Sequence, residues 1–132
     1  MSGSFFDTNV ILYLVSTDPR KADRAEALLR EGGTISVQVL NETAAVARRK
    51  MKLEWLAVHT LLDSVRGLVS TVDLTVGTHE RGLGLAKRYR FSLFDAMIVA
   101  AAVGAGCSTL WSEDMQHDLV IDDVLRIQNP FG

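Results

Sequence analysis

Between Ser92 and Cys107 the chain reads Ser-Leu-Phe-Asp-Ala-Met-Ile-Val-Ala-Ala-Ala-Val-Gly-Ala-Gly-Cys, an apolar run broken by one charge. A helix that is apolar on nearly every side must be covered on nearly every side, so this segment is expected inside the protein. That requirement constrains the fold more than any other feature, because the rest of the chain has to wrap around it. The single charge is Asp95, and no other charged residue falls between Arg90 and Glu113. A carboxylate in apolar surroundings is costly unless something compensates it. Local capping is one compensation, since Ser92 stands as N-cap with Asp95 in the first turn. Asp7 and Glu42 are isolated in the same way: Asp7 is the only charge before Asp18, and Glu42 the only one between Glu31 and Arg48.

The remaining pattern alternates short β-branched or aromatic runs with helical ones. Ser4 to Phe6 reads as a strand, Asp7-Thr8-Asn9 as the turn at its end, and Val10 to Val15 as a short buried helix. Asp18-Pro19 is a helix start, with the cap at Asp18 and proline at the first helical position, and Gly32-Gly33 is its stop. Thr34 to Val37 is a second strand, followed by a helix from about Val39 to Lys50 that carries Glu42. Trp55 to Val65 is an amphipathic helix closed by Gly67, and Leu68 to Val72 a third strand. Thr75 to Tyr89 reads as a helix despite Gly77, Gly82 and Gly84. Thr109 to Trp111 is a fourth strand, running into the polar loop Ser112 to Asp118, and Val124 to Ile127 is a fifth.

Strands alternating with helices imply an α/β protein: a three-layer fold with a parallel sheet of about five short strands, covered by helices on both faces. Length and the absence of linkers or repeats suit one domain spanning residues 1–132. In such sheets ligands bind beyond the carboxyl ends of the strands. Asp7 and Asp114 fall just past strand ends, and Glu42 and Asp95 lie early in helices that point back at that rim, so the four acidic positions converge. Carboxylates cannot crowd together ionised without raised pKa values or a cation among them. An all-oxygen set suits a hard cation, Mg²⁺ or Mn²⁺, and no His/Cys pair stands at zinc spacing. Such an ion, held with open coordination positions, serves phosphodiester chemistry.

Composition narrows the partners. A net charge of −2 advertises no nucleic-acid surface, so any such binding rests on local clusters: Arg48-Arg49-Lys50 with Lys52, and Lys87-Arg88 with Arg90. Each stands at a helix C-terminus, where basic residues are favourable in any case. The lone Cys107 excludes an internal disulfide and suits a reducing compartment. The run from Ala96 to Val103 is too short to span a bilayer and the N-terminus has no secretory pattern, so a cytoplasmic location is expected. His59, His79 and His117 are expected on the surface, and Trp55 and Trp111 in the core or an interface.

Four pieces of the chain, Phe6-Asp7-Thr8-Asn9-Val10, Asn41-Glu42, Ser92 through Ala102 and Ser112-Glu113-Asp114-Met115-Gln116, resemble in order and spacing the PIN-domain ribonucleases, most closely VapC toxins of toxin–antitoxin pairs. The resemblance covers essentially the whole chain. It implies a PIN-like fold, a metal site at Asp7, Glu42, Asp95 and Asp114 binding Mg²⁺ or Mn²⁺, and support from Thr8 or Asn9 and from Ser112. Within the polar loop Glu113 and Asp118 compete with Asp114; the Ser-Glu-Asp run favours Asp114, with Asp118 in reserve. The activity implied is endonucleolytic cleavage of a structured RNA such as tRNA or rRNA, leaving a 5′-phosphate and a 3′-hydroxyl. A cognate antitoxin and a homodimeric assembly are the implied partners, with no membrane. Two other classes compete. A phosphohydrolase using Asp7 as nucleophile would want a second carboxylate at position 9, which is Asn, and a lysine near the site. A non-catalytic module, receiver-like or a degenerate PIN-like domain, would not need the carboxylate set at all.

Overall fold

Phe5 and Phe6 are fully buried and place strand β1 (Ser4–Phe6) at the centre of the molecule. The computed structural model describes residues 3–132. After β1 come α1 (Thr8–Leu12), extended by a 3₁₀ turn at Tyr13–Val15, then α2 (Pro19–Arg30), β2 (Thr34–Ser36), α3 (Val37–Arg49) and α4 (Trp55–Leu68). They are followed by β3 (Ser70–Val72), α5 (Val76–Tyr89), α6 (Leu93–Gly104), β4 (Thr109–Trp111), β5 (Val120–Ile121) and β6 (Leu125–Gln128). The strands form one sheet in the order β3-β2-β1-β4-β6-β5, flanked by helices. β1 pairs in parallel with β2 and with β4, in a register that sets Phe6 opposite Trp111.

The sheet has six strands, one more than the sequence reading, and is parallel except at one edge, where β5 runs antiparallel to β6. The missed strand belongs to a hairpin whose turn residues Asp122 and Asp123 both have positive φ, +49° and +60°. That is the type I′ geometry usually signalled by Asn-Gly or Asp-Gly, and two aspartates hide it. Tertiary contacts hold it: the Arg88 guanidinium pairs with Asp122, and the Tyr89 hydroxyl contacts the same carboxylate at 3.1 Å.

Helix α6 is covered as its composition demands, with Ala96 to Ala102 all buried. It stops at Gly104 rather than running on to Cys107. Gly106 takes φ +74°, and the amides of Gly106 and Cys107 return to the carbonyls of Val103 and Ala102, a Schellman closure. Its first turn is the exception to burial, since Leu93 and Phe94 face solvent. Helix α5 approaches α6 closely at Gly82, where a Cβ would meet the Met97 methyl at 2.6 Å. Gly67 does not close α4, which continues through it to Leu68. Buried Val65 and Val69 anchor that turn on either side, which outweighs a glycine penalty of about 1 kcal/mol.

Gly33 is the glycine the fold cannot replace. It precedes β2 with φ +150°, and a Cβ there would lie 2.6 Å from the Phe6 ring and 2.7 Å from the Ser4 carbonyl oxygen. Gly33→Ala should therefore lower stability by roughly 1–3 kcal/mol, whereas Gly67→Ala, in open helical surroundings, should raise it by about 0.5–1 kcal/mol. Paired denaturant melts check this, and equal midpoints for the two variants would refute it.

Candidate active site

Asp7 leaves β1 and caps α1. Its Oδ1 accepts from the Thr8 amide at 2.7 Å, and its Oδ2 from the Ser112 hydroxyl at 2.7 Å and the Asn9 amide group at 3.2 Å. Ser112 reaches it because β4 ends beside β1: the Asp7 amide donates to the Trp111 carbonyl at 3.0 Å. Asn9 also donates to Asp114 Oδ2 at 3.0 Å and accepts from the Glu113 amide at 3.3 Å, so one side chain ties the end of β1 to the β4 loop. The Ser112 hydroxyl accepts in turn from the Met115 amide at 3.2 Å, which fixes the loop's first turn.

Glu42 approaches from α3. Thr8 donates to its Oε1 at 3.4 Å and Gln38, one turn earlier on the same helix, to its Oε2 at 2.6 Å. Gln38 was not singled out from the sequence, although its i,i+4 spacing to Glu42 was there to be read. Asp95 enters on the first turn of α6, where the Ser92 hydroxyl accepts from its amide at 3.2 Å. Capping and clustering are thus compatible at both Asp7 and Asp95.

Asp7 feels the charges of Asp95 and Asp114, and Asp95 those of Glu42 and Asp114. Burial pushes the pKa of Asp7 up to about 6 against hydrogen bonds from Ser112 and Thr8, and the charges of Asp95 and Asp114 push it further the same way. Burial likewise raises Asp95, followed by the charge of Glu42; a hydrogen bond with Ser92 opposes this, and Asp114 adds to it. The other loop acids turn elsewhere. Glu113 takes the Tyr13 hydroxyl and pairs with Lys21 at 3.4 Å, while Asp118 pairs with Arg126 at 3.6 Å and His117 at 3.5 Å. Lys21 therefore sits beside the loop, though nothing in the sequence placed a lysine there. His117 accepts from the Asn129 amide at 3.0 Å, which gives it a structural partner. Trp55 is 60% exposed under the Arg48 guanidinium, so it is not a core residue.

The donor set fits a hard divalent cation: all oxygen, mutually repelling, and partly shielded from water. As they stand, no three His, Cys, Asp or Glu side chains among the described residues are gathered closely enough to hold one. Asp7, Glu42 and Asp114 are each held in place by neighbouring hydrogen-bond donors.

Residues 4–120 match the family model of the PIN domain. The chain belongs to the PIN-domain family. Solved structures agree on the fold. A toxin–antitoxin complex from Klebsiella pneumoniae superposes with a TM-score of 0.68 at 20% identity, over 96% of this chain and 97% of that one. VapC20 of Mycobacterium tuberculosis, described as a toxin cleaving the sarcin–ricin loop, gives 0.68 at 20% identity over 84% and 91%. VapBC2 of Rickettsia felis, bound to a DNA fragment from its promoter, gives 0.68 at 17% over 96% and 97%. No curated protein sequence matches the chain. As in the structural neighbours, the PIN domain here is an α/β unit with a mostly parallel sheet, and no helix among the described residues is long and apolar enough to cross a membrane.

The raised pKa of Asp7 sets a pH dependence. Its folded value, about 6, lies above the ordinary 3.8, so the folded protein binds the proton more tightly than the unfolded chain. Without divalent ions, stability should be highest below pH 4 as far as this group is concerned, fall between pH 4 and 6, and stay reduced above. The span is on the order of 3 kcal/mol. Asp7→Asn should flatten that slope. Urea melts in EDTA from pH 4 to 8 check it, and parallel slopes for the two proteins would contradict it.

Proposed function

We propose that this PIN domain is a metal-dependent endoribonuclease and the toxin of a toxin–antitoxin pair. The observation that carries the reading is the buried Asp7 at the carboxyl end of β1, held by Ser112 and tied through Asn9 to Asp114 and through Thr8 to Glu42, with the pKa values of Asp7 and Asp95 raised first by burial and then by neighbouring carboxylates. Perturbed acids gathered at such a rim mark chemistry more often than structure. Asp7, Asp95 and Asp114 would hold Mg²⁺ or Mn²⁺, with Glu42 completing the set or orienting the attacking water. The cation supplies electrostatic stabilisation of the scissile phosphate. Asn9 and Ser112 keep Asp7 and Asp114 facing the same space, and Thr8 and Gln38 keep Glu42 there. The substrate would be a structured RNA such as tRNA or rRNA, cut to leave a 5′-phosphate and a 3′-hydroxyl.

Two experiments test the catalytic reading. Cleavage of total tRNA or rRNA should require Mg²⁺ or Mn²⁺ and stop in EDTA; undiminished cleavage under chelation would overturn it. Asp95→Asn removes part of the repulsion, so in EDTA near pH 7 it should melt above wild type. Mg²⁺ should reverse that order, because saturation at 100 times Kd adds about 2.7 kcal/mol to a protein that binds the ion. A gap between the two melting temperatures that is equal in both buffers would remove Asp95 from the metal site.

The toxin reading has its own support. An open apolar groove between α2 and α4, lined by Leu14, Val15, Leu56 and Leu61, would accept an antitoxin segment, and Leu56 is 79% exposed there. Expression alone should arrest growth, and the product of the adjacent reading frame should rescue it. Leu56→Glu should stay toxic and escape the rescue. Harmless overexpression of the folded, ion-binding protein would sink the toxin role while leaving the nuclease reading to stand on cleavage.

A further inference from the structure

The first turn of α6 departs from the rule that governs the rest of the helix. Ala96 to Ala102 are all buried, yet Phe94 is 62% exposed and Leu93 44% exposed. An aromatic ring left in water at such a place is unfavourable surface unless something covers it. Its position says what would. Phe94 directly precedes Asp95 in the first turn of α6, so along the chain it adjoins one of the four candidate acidic residues. Just before it in the chain, at the C-terminal end of α5, Lys87 and Arg90 are exposed, and neither has a carboxylate partner among the described residues. Arg88 between them is held by Asp122.

We propose that Phe94 is a stacking platform for an unpaired base beside the phosphodiester that is cut, a proposal that rests on the ribonuclease reading. Free cations next to an exposed aromatic face suit a nucleic-acid strand, whose phosphates take the charges while a base takes the ring. A second copy of this chain fits less well. A two-fold contact on this patch would gather both copies' Lys87 and Arg90 into one interface, where like charges oppose association. Every base has a π-face, so Phe94 sets a preference for unpaired over paired nucleotides at its position.

The test uses a hairpin oligoribonucleotide that presents an unpaired loop, cleaved in Mg²⁺, with wild type and Phe94→Ala, Phe94→Leu and Phe94→Trp. Stacking requires that Ala and Leu raise KM by roughly 5- to 100-fold, the range for one base on one ring, with kcat little changed because the contact is made equally in ground and transition states. Trp should match or improve on wild type. Leu is the discriminating variant, because it keeps apolar bulk and loses the π-face. An abasic site scanned along the oligonucleotide should raise wild-type KM at one position, and there the loss should not add to that of Phe94→Ala. Because Phe94 is exposed, melting temperatures should stay near wild type. Equal KM values for all four proteins would overturn the proposal and leave the ribonuclease reading intact. So would unchanged KM in Phe94→Ala with a shift from dimer to monomer by light scattering, which would give the ring to a second copy. Failure of the wild type to cleave or bind RNA would remove the ribonuclease reading, and the platform with it.

Discussion

The rim of this protein hangs on a buried carboxylate. Asp7 sits where the central strand ends, 4% exposed, and the backbone pairing of β1 with β4 delivers the Ser112 hydroxyl to it. A shift of that register by one residue would exchange Ser112 for a neighbour and swap the faces on which Phe5 and Phe6 pack. Asn9 extends the same network to Asp114 and Thr8 extends it to Glu42. Three donors on one carboxylate would ordinarily favour its charged form. Here burial outweighs them, and the pKa stands at about 6.

That balance defines the character of the site. A fold selected for stability alone would have paired these acids with cations or replaced them with apolar residues. The arginines instead serve other places: Arg24 donates to the Pro130 carbonyl and lies over Trp111, and Arg48 caps the turn at Leu53 and covers Trp55. Asp7, Glu42 and Asp114 are restrained instead by neutral donors that hold position without supplying charge. Such an arrangement is tolerable because the core beneath it is large and fully apolar, built on Phe5, Ile98, Leu110 and Ile127. It creates a demand for positive charge that a divalent ion or the guanidinium of a partner would answer.

The surface around the rim divides by use. Of the two basic clusters that a net charge of −2 conceals, one member of each is committed internally, Arg48 to a carbonyl and Arg88 to Asp122. Lys87 and Arg90 stay exposed at the end of α5. Two of the exposed apolar residues have a definite setting: Leu56 lines the groove between α2 and α4, and Phe94 directly precedes Asp95 on α6. One surface suits a protein segment and the other a charged polymer.

Much of this was legible from local chemistry. Asp18-Pro19, Ser92 with its apolar run, and Gly32-Gly33 mark boundaries through hydrogen-bonding and φ requirements that hold in any context, so α2, α6 and the approach to β2 fell where sequence placed them. Isolation of Asp7, Glu42 and Asp95 in apolar stretches flagged them because a lone carboxylate there needs a reason. The partners of Glu113, Asp114 and Asp118 were set by tertiary structure, through donors that come from elsewhere: Tyr13 and Lys21 take the first, Asn9 the second, Arg126 and His117 the third. The β5–β6 hairpin also escaped, because its Asp-Asp turn is held by Arg88 and Tyr89 from a helix some 30 residues away. Sequence determined which residues had to be inside and where chain direction could change. Only the fold decided which polar groups meet, because hydrogen bonds and fields act across strands that the chain order keeps apart.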